Sequence, residues 1–362
     1  MANSAWSETI LQLLRRMNNF YLPASGRSKC LRFEINGVQV GWIPPHVAPL
    51  LTRYPEVFSP PLGGAVSLRR SLDSYEKRSE AVDAVLRTMR REGAFTCLKG
   101  WRDEKNSVMP AFSDPPLMWM ERAATSLFGV KRYGVHINGY TVGNGGEVRM
   151  WLARRSLTKQ TYPGLLDSVA AGGIAAGVGI KHTLVKECEE EACIPAAIAA
   201  KARPVANVSY TYEDEDGVFP ESQFVFDLEL PLEFEPRAGD GEVQDFHLLP
   251  VDEVKRLLAT DDLKPDCAMV ALDFLIRHSF IDPDAEQDCI RRYGVKRPAE
   301  DISPANGALG ARRERIGKEG KIIWDNFGVK VEKRNKEFHL LNLFDNTNGS
   351  YHRPRPLHSL LV

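Results

Sequence analysis

Four glutamates crowd one cysteine in KECEEEAC, residues 186–193. No Gly or Pro interrupts 181–194, and alanine, leucine and glutamate favour a helix there. At helical spacing Glu187, Glu190 and Glu191 share one face, and Leu184, Val185, Cys188 and Ala192 form another that can pack on a core. Glu189 points to solvent. Each like-charge i,i+4 pair costs roughly 0.2–0.5 kcal/mol, so helix stability does not explain the cluster. A hard divalent cation does: Mg²⁺ takes oxygen ligands, commonly a few carboxylates plus substrate phosphates. The alternative is a solvated acidic face. The preceding AGGIAAGVG (171–179), with Gly172, Gly173, Gly177 and Gly179, favours the ligand reading. Its backbone can approach a phosphate closely, and a helix start favours anions.

Such a loop and helix need a sheet behind them. KRYGVHINGYTV (131–142) alternates around Asn138-Gly139, and VRMWLARRS (148–156) reads as a second strand. A loop, TKQTYPG (158–164), and a strand, LLDSVAA (165–171), lead into the glycines. Residues 206–230 read as two strands joined at Glu213, Asp214, Glu215 and Asp216, an acidic tip expected to be solvated. FHLLP (246–250) is a short strand, and 251–259 and 267–278 are helices. A mixed sheet with the acidic helix against it is an α/β sandwich. Upstream, 8–22 reads as an amphipathic helix capped near Ser7. Residues 31–43 form a hairpin on Asn36-Gly37, and 74–93 a helix closed by Gly93. Residues 118–129 are expected to form a helix joining the two halves. This predicts a small α+β unit over 1–130 and a main domain over 131–297. The segment 298–321 has linker composition, so 298–362 is expected to be a disordered tail.

At 362 residues the chain exceeds what one hydrophobic core commonly serves. A net charge of −1 gives no general attraction to nucleic acid, and no apolar run reaches the ~18 residues of a membrane span. The six cysteines form no CxxC pair, which argues against zinc and fits reduced thiols in the cytoplasm.

The loop–helix unit resembles the Nudix box, G-x5-E-x7-R-E-U-x-E-E-x-G-U. Gly172 takes the first glycine, Lys186 the arginine, Glu187 the first helix glutamate, Glu190 and Glu191 the paired glutamates, and Ile194 the last apolar site. Val178 replaces the early glutamate and Cys193 the late glycine. The stretches 132–140, 151–156, 158–173, 240–243 and 265–281, with FEINGVQVGWIPP (33–45), GWRDE (100–104) and PPLMWMERAATSLFGV (115–130), resemble the thiamine pyrophosphokinase-related Nudix hydrolases over roughly 8–297. In that branch KECEEEA is usual. A glutamate commonly stands four residues before the lysine, where this chain has His182.

The resemblance implies a Nudix α/β/α sandwich with a mixed sheet, preceded by the branch's α+β domain. It implies Mg²⁺, with Mn²⁺ as substitute, on Glu187, Glu190 and Glu191. Glu187 also assists the attacking water, Lys186 orients a ligand, and Glu242 is either a distant catalytic carboxylate or a turn residue. Gly172, Gly173, Arg154, Arg155 and Lys159 are candidates to hold phosphate, the cations being otherwise a basic strand edge. Trp101 and Arg102 form either a substrate-recognition loop or a buried tryptophan beside a salt-bridged turn. The implied reaction removes phosphate from thiamine diphosphate, or its oxidised or analogue forms, to give the monophosphate. Hydrolysis of nucleoside diphosphate derivatives and a Nudix-fold binding protein are the alternatives. The partner is a small-molecule diphosphate, with neither nucleic acid nor membrane.

Overall fold

The amphipathic start folds as helix α1 (Ala5–Met17), with Ile10, Leu11, Leu14 and Met17 buried along one face. Ser7 is buried within this helix. The coordinates are a computed structural model that describes residues 5–281 and three strands between 321 and 342. Most of the expected linker lies outside the described residues.

Asn36 and Gly37 both take positive φ, 53° and 80°, as a two-residue hairpin loop requires. They join β1 (Leu31–Ile35) to β2 (Val38–Ile43). A short helix α2 (Ala48–Leu51) follows, and β3 (Ala65–Ser67) adds parallel to β1. Helix α3 (Tyr75–Arg91) starts where the Ser74 side chain accepts the Lys77 N–H at 3.1 Å. It ends before Gly93, whose φ of 66° is the left-handed conformation glycine adopts without penalty.

The helix expected over 118–129 is not there. Met118–Glu121 is strand β5, antiparallel to β4 (Lys105–Val108), and Arg122–Phe128 is a 3₁₀ turn. Strand alternation buries Met118 and Met120, and the Trp119 N–H donates to Ser79 of α3. The Glu121 carboxylate then accepts the Ala123 N–H, which starts the turn. Pairing and capping outweigh the helix propensity of MERAA.

The main sheet has the order β10 (Arg203–Asp214), β11 (Gly217–Glu229), β6 (Arg132–Val142), β7 (Val148–Arg155) and β12 (Val243–Pro250). Strand β8 (Leu166–Ser168) pairs with β7, and β9 (Ala170–Gly173) with β6. The β11–β6 pair is parallel and the others are antiparallel. Helix α4 (Ile180–Ala192) covers one face, packing Leu184, Cys188 and Ala192 on Val135, Ile137 and Leu228. The short α5 (Ala196–Ala199) follows it. The opposite face is covered by α6 (Val251–Leu257), α7 (Pro265–Arg277) and α1. So α1, early in the chain, completes the core of the later sheet, and Trp6 Nε1 donates to the Lys255 carbonyl at 2.8 Å.

Beyond 320 lie β13 (Lys321–Trp324), β14 (Val329–Arg334) and β15 (Glu337–Asn342), an antiparallel sheet inside the tail expected to be disordered.

The two halves meet at several backbone points. The Ala176 N–H donates to the Lys105 carbonyl at 2.8 Å. A Cβ on Gly217 would lie 2.3 Å from the Ser126 carbonyl oxygen, so only glycine lets the β10–β11 turn approach so closely. The acidic tip is only partly solvated. Glu213 accepts the Gly26 N–H at 2.5 Å, and its own N–H donates to Asn19 at 2.7 Å.

Leu11 is fully buried in the core that α1 shares with α7. Leu11→Ala is expected to cost about 2–5 kcal/mol. Urea unfolding followed by fluorescence and circular dichroism checks it, with both signals shifting together because α1 belongs to the main core.

Candidate active site

Strand β9, the glycine loop and α4 bring the acidic residues to one lip of a cleft of about 1060 Å³. Glu187 is seated by Gly172. A Cβ there would lie 2.1 Å from the Glu187 carboxyl carbon, so any larger residue displaces the carboxylate. Glu191 Oε2 accepts the Ala171 N–H at 2.8 Å. Glu190 is exposed and takes Lys186 Nζ at 2.6 Å, and the same ammonium lies 3.3 Å from Glu187. At its C-terminus α4 closes on Cys193 at φ 51°. This left-handed position is where the box has glycine, and a side chain there costs roughly 1–2 kcal/mol.

The two inner carboxyls resist ionisation. Loss of water, with Glu187, Asp167 and Glu242 nearby, pushes the Glu191 carboxyl up to about 8 against the Ala171 hydrogen bond. Burial also raises Glu187, and Lys186 offsets only part of this. Glu242, in the same cleft, behaves oppositely. Burial works to raise it, but its bond to Lys159 and the charges of Arg155 and Arg102 hold it below the usual range. Among the described residues no three His, Cys, Asp or Glu side chains are preassembled around an ion position. The donor chemistry nonetheless fits a hard cation: oxygen ligands only, two of them partly desolvated, with charge that Lys186 alone does not balance.

Another part of the cleft lining is basic. Arg102 and Arg122 reach it from the first half and Arg132 from β6. Arg122 is held by Glu104 at 2.8 Å, and Arg132 pairs with Glu221. Further in, Tyr212 and Phe219 stack with centroids 4.6 Å apart and planes 2° from parallel, and Tyr162 and Tyr210 line the same chamber. Below it Lys264 bridges Asp167 (3.1 Å) and Asp266 (2.8 Å), so the buried charges are paired.

The predicted residues divide. Glu187, Glu190, Glu191, Glu242, Lys186, Lys159, Gly172, Gly173 and Arg102 all line the cleft. Lys186 holds Glu187 and Glu190, as an orienting residue would. His182 is exposed at the rim. Arg155 reaches the cleft, but its guanidinium is spent on Asp167 and the Thr161 and Tyr162 carbonyls. It shapes the loop that holds Tyr162 at a left-handed φ of 52°. Arg154 is not a cleft residue; strand alternation turns it to the Gly164 carbonyl, His247 and Asp245. Trp101 is not one either. Its ring lies under Arg87 and Arg90 at 4.9 and 5.1 Å, and its indole N–H donates to Asp103. Sequence reading missed Arg122, Arg132 and the aromatic chamber. Alternation could have supplied Tyr210 and Tyr212, which share one face of β10; Arg122 was hidden by the expected helix.

Residues 9–132 match the family described as a domain of unknown function (DUF4743), and 133–267 match the NUDIX domain. "Nudix hydrolase 20, chloroplastic" of Arabidopsis thaliana is 43% identical over 223 residues, 61% of this chain and 59% of that protein. "Nudix hydrolase 24, chloroplastic" of the same plant is 39% identical over 255 residues, 70% of this chain and 69% of that protein. The "Uncharacterized protein YJR142W" of Saccharomyces cerevisiae is 36% identical over 232 residues, 60% of this chain and 67% of that one. The match thus spans 59% of the first relative's length and about two thirds of the other two. An α/β sandwich with the acidic helix against its sheet defines a Nudix domain. The chain belongs to the Nudix hydrolase family, with the NUDIX domain at residues 133–267.

The raised proton affinity of Glu191 has a defined consequence for stability. Its folded value, about 8, lies above the ordinary 4.5. Its contribution is therefore full below about 4.5 and lost as pH rises through 8. In EDTA, Glu191→Gln is expected to leave Tm nearly unchanged at pH 5 and to raise it increasingly toward pH 8.5. Differential scanning fluorimetry checks this; a Tm difference independent of pH would contradict it.

Proposed function

We propose that the chain is a Mg²⁺-dependent hydrolase of small heteroaromatic diphosphates, thiamine diphosphate or its oxidised or analogue forms, releasing phosphate and the monophosphate. The observation that carries this reading is the polarity of one cleft: a carboxylate lip, a guanidinium wall and an aromatic chamber, in that proximity. A diphosphate is anionic and needs both a cation and fixed donors; a heteroaromatic ring needs flat apolar faces.

Glu187, Glu190 and Glu191 would hold the ion, with Mn²⁺ as a substitute. Bound there, a divalent cation neutralises phosphate charge and makes water a better nucleophile at neutral pH. Glu187, seated against Gly172, takes the proton from the attacking water. Lys186 holds the acidic face together between ligands and orients Glu187 and Glu190. Glu242, kept ionised by Lys159, lines the same cleft and is less suited to accept that proton. Tyr212 and Phe219, stacked on each other with Arg132 over the Phe219 ring, offer the leaving group's ring an edge contact in the same cleft. The five described cysteines are free thiols, as a reducing compartment keeps them, and the cytoplasm is the compartment proposed.

Purified protein with Mg²⁺ is to be assayed for phosphate release from thiamine diphosphate, its oxidised forms, nucleoside diphosphates and nucleotide sugars. The expected result is the highest kcat/KM for a thiamine compound. Glu187→Gln is expected to lower kcat about a hundredfold or more while leaving the fold intact. Preference for nucleoside diphosphates would replace the thiamine reading, and no release from any compound would overturn hydrolysis.

A further inference from the structure

Residues 9–132 match a family described as a domain of unknown function. We propose that this segment supplies the anion-gripping wall of the active site, with Arg122 and Arg102 binding phosphate oxygens of the substrate. The proposal deepens the hydrolase reading and rests on it for the site's location.

One buried carboxylate ties the backbone at Arg102 to the backbone next to Arg122. Glu121 is 2% exposed, and its Oε1 accepts the Arg102 N–H at 3.0 Å and the Ala123 N–H at 3.1 Å. One side chain therefore fixes the backbone on either side of the wall. Arg122 is further braced. Its N–H donates to the Glu104 carbonyl at 2.8 Å, and its Nη1 donates to both Glu104 carboxylate oxygens at 3.0 and 2.8 Å. A guanidinium offers five N–H donors in a planar fork, and Glu104 uses one nitrogen. Among the described residues Nη2 and Nε have no hydrogen-bond partner.

The wall reaches across to the second half. A Cβ on Gly173 would lie 3.0–3.1 Å from the Arg122 guanidinium, so Arg122 rests directly on β9, one residue from the seat of Glu187. Arg102 makes no side-chain hydrogen bond among the described residues, and it lines the same cleft. Its proton affinity is lowered by burial and then by the nearby charge of Arg122. Of the three guanidiniums, Arg122 pairs with Glu104 and Arg132 with Glu221, while Arg102 has only the charge of Glu242 nearby. Clustered guanidiniums with partly empty donor forks suit a polyanion, and guanidinium–phosphate bonds are often bidentate.

The test reads binding, so it is separate from turnover. Binding of methylenediphosphonate, which is not hydrolysed, is measured by calorimetry on the full chain with Mg²⁺, at several salt concentrations. Arg122→Ala is expected to raise Kd at least tenfold and Arg102→Ala severalfold, with a shallower salt dependence in each. Arg122→Lys, which keeps the charge but not the fork, is expected to fall between. Arg90→Ala, which removes a cation stacked on Trp101 outside the cleft, is expected to bind as wild type. If Arg122→Ala does not fold, Arg102→Ala and Arg122→Lys carry the test. Kd within twofold of wild type for the folded arginine variants would overturn the proposal, as would failure of the wild type to bind. Tight binding that depends on the arginines, without phosphate release from any diphosphate, would sink the hydrolase reading and leave this one standing.

Discussion

Repulsion among carboxylates held partly out of water is the constraint around which this molecule is arranged. Glu187 and Glu191 lie against the backbone of β9, one in the space a Cβ on Gly172 would fill and the other on the Ala171 N–H. Left alone, such an arrangement is unfavourable. It persists because α4 is pinned by its apolar face, with Leu184, Cys188 and Ala192 buried on the sheet. Packing energy from one side of the helix offsets electrostatic cost on the other. The charge is thereby available to a cation, and Lys186 meets only part of it.

The same logic extends to the basic wall. Arg122 and Arg102 come from a half of the chain with its own core, built on Phe33, Leu86, Met118 and Phe128. They face the cleft because β4, β5 and the turn after them dock on the glycine loop through Ala176 and on the β10–β11 turn through Gly217. Helix α1 ties the halves in the reverse direction by filling the core behind the main sheet. The second half borrows α1 for its core, and the cleft is lined from both halves.

Much of this was legible from local pattern. The i, i+3, i+4 spacing placed Glu187, Glu190 and Glu191 together, and Asn36-Gly37 fixed a hairpin because few other pairs tolerate positive φ twice. What local pattern could not supply was competition from distant partners. The helix-prone 118–129 became strand and turn because β4 and Ser79 offered hydrogen bonds and Glu121 capped the turn. Trp101 left the site because α3 presents Arg87 and Arg90, one turn apart, to its ring. Arg154 and Arg155 read alike in sequence, but adjacent strand residues face opposite ways, and Asp167 claimed the inward one. The tie between α1 and α7 spans most of the chain and has no local signature.

The central claim is that one cleft holds a divalent ion on its acidic lip and a diphosphate on its basic wall at the same time. Phosphorus NMR relaxation of methylenediphosphonate, with Mn²⁺ in place of Mg²⁺, tests it most directly, because the paramagnetic ion relaxes only phosphorus nuclei close to it. The account predicts a protein-dependent change in relaxation beyond that of the Mn²⁺–methylenediphosphonate chelate in solution, which saturates with protein and is lost in Glu187→Gln. Protein-bound methylenediphosphonate whose phosphorus relaxation does not respond to Mn²⁺ would contradict it.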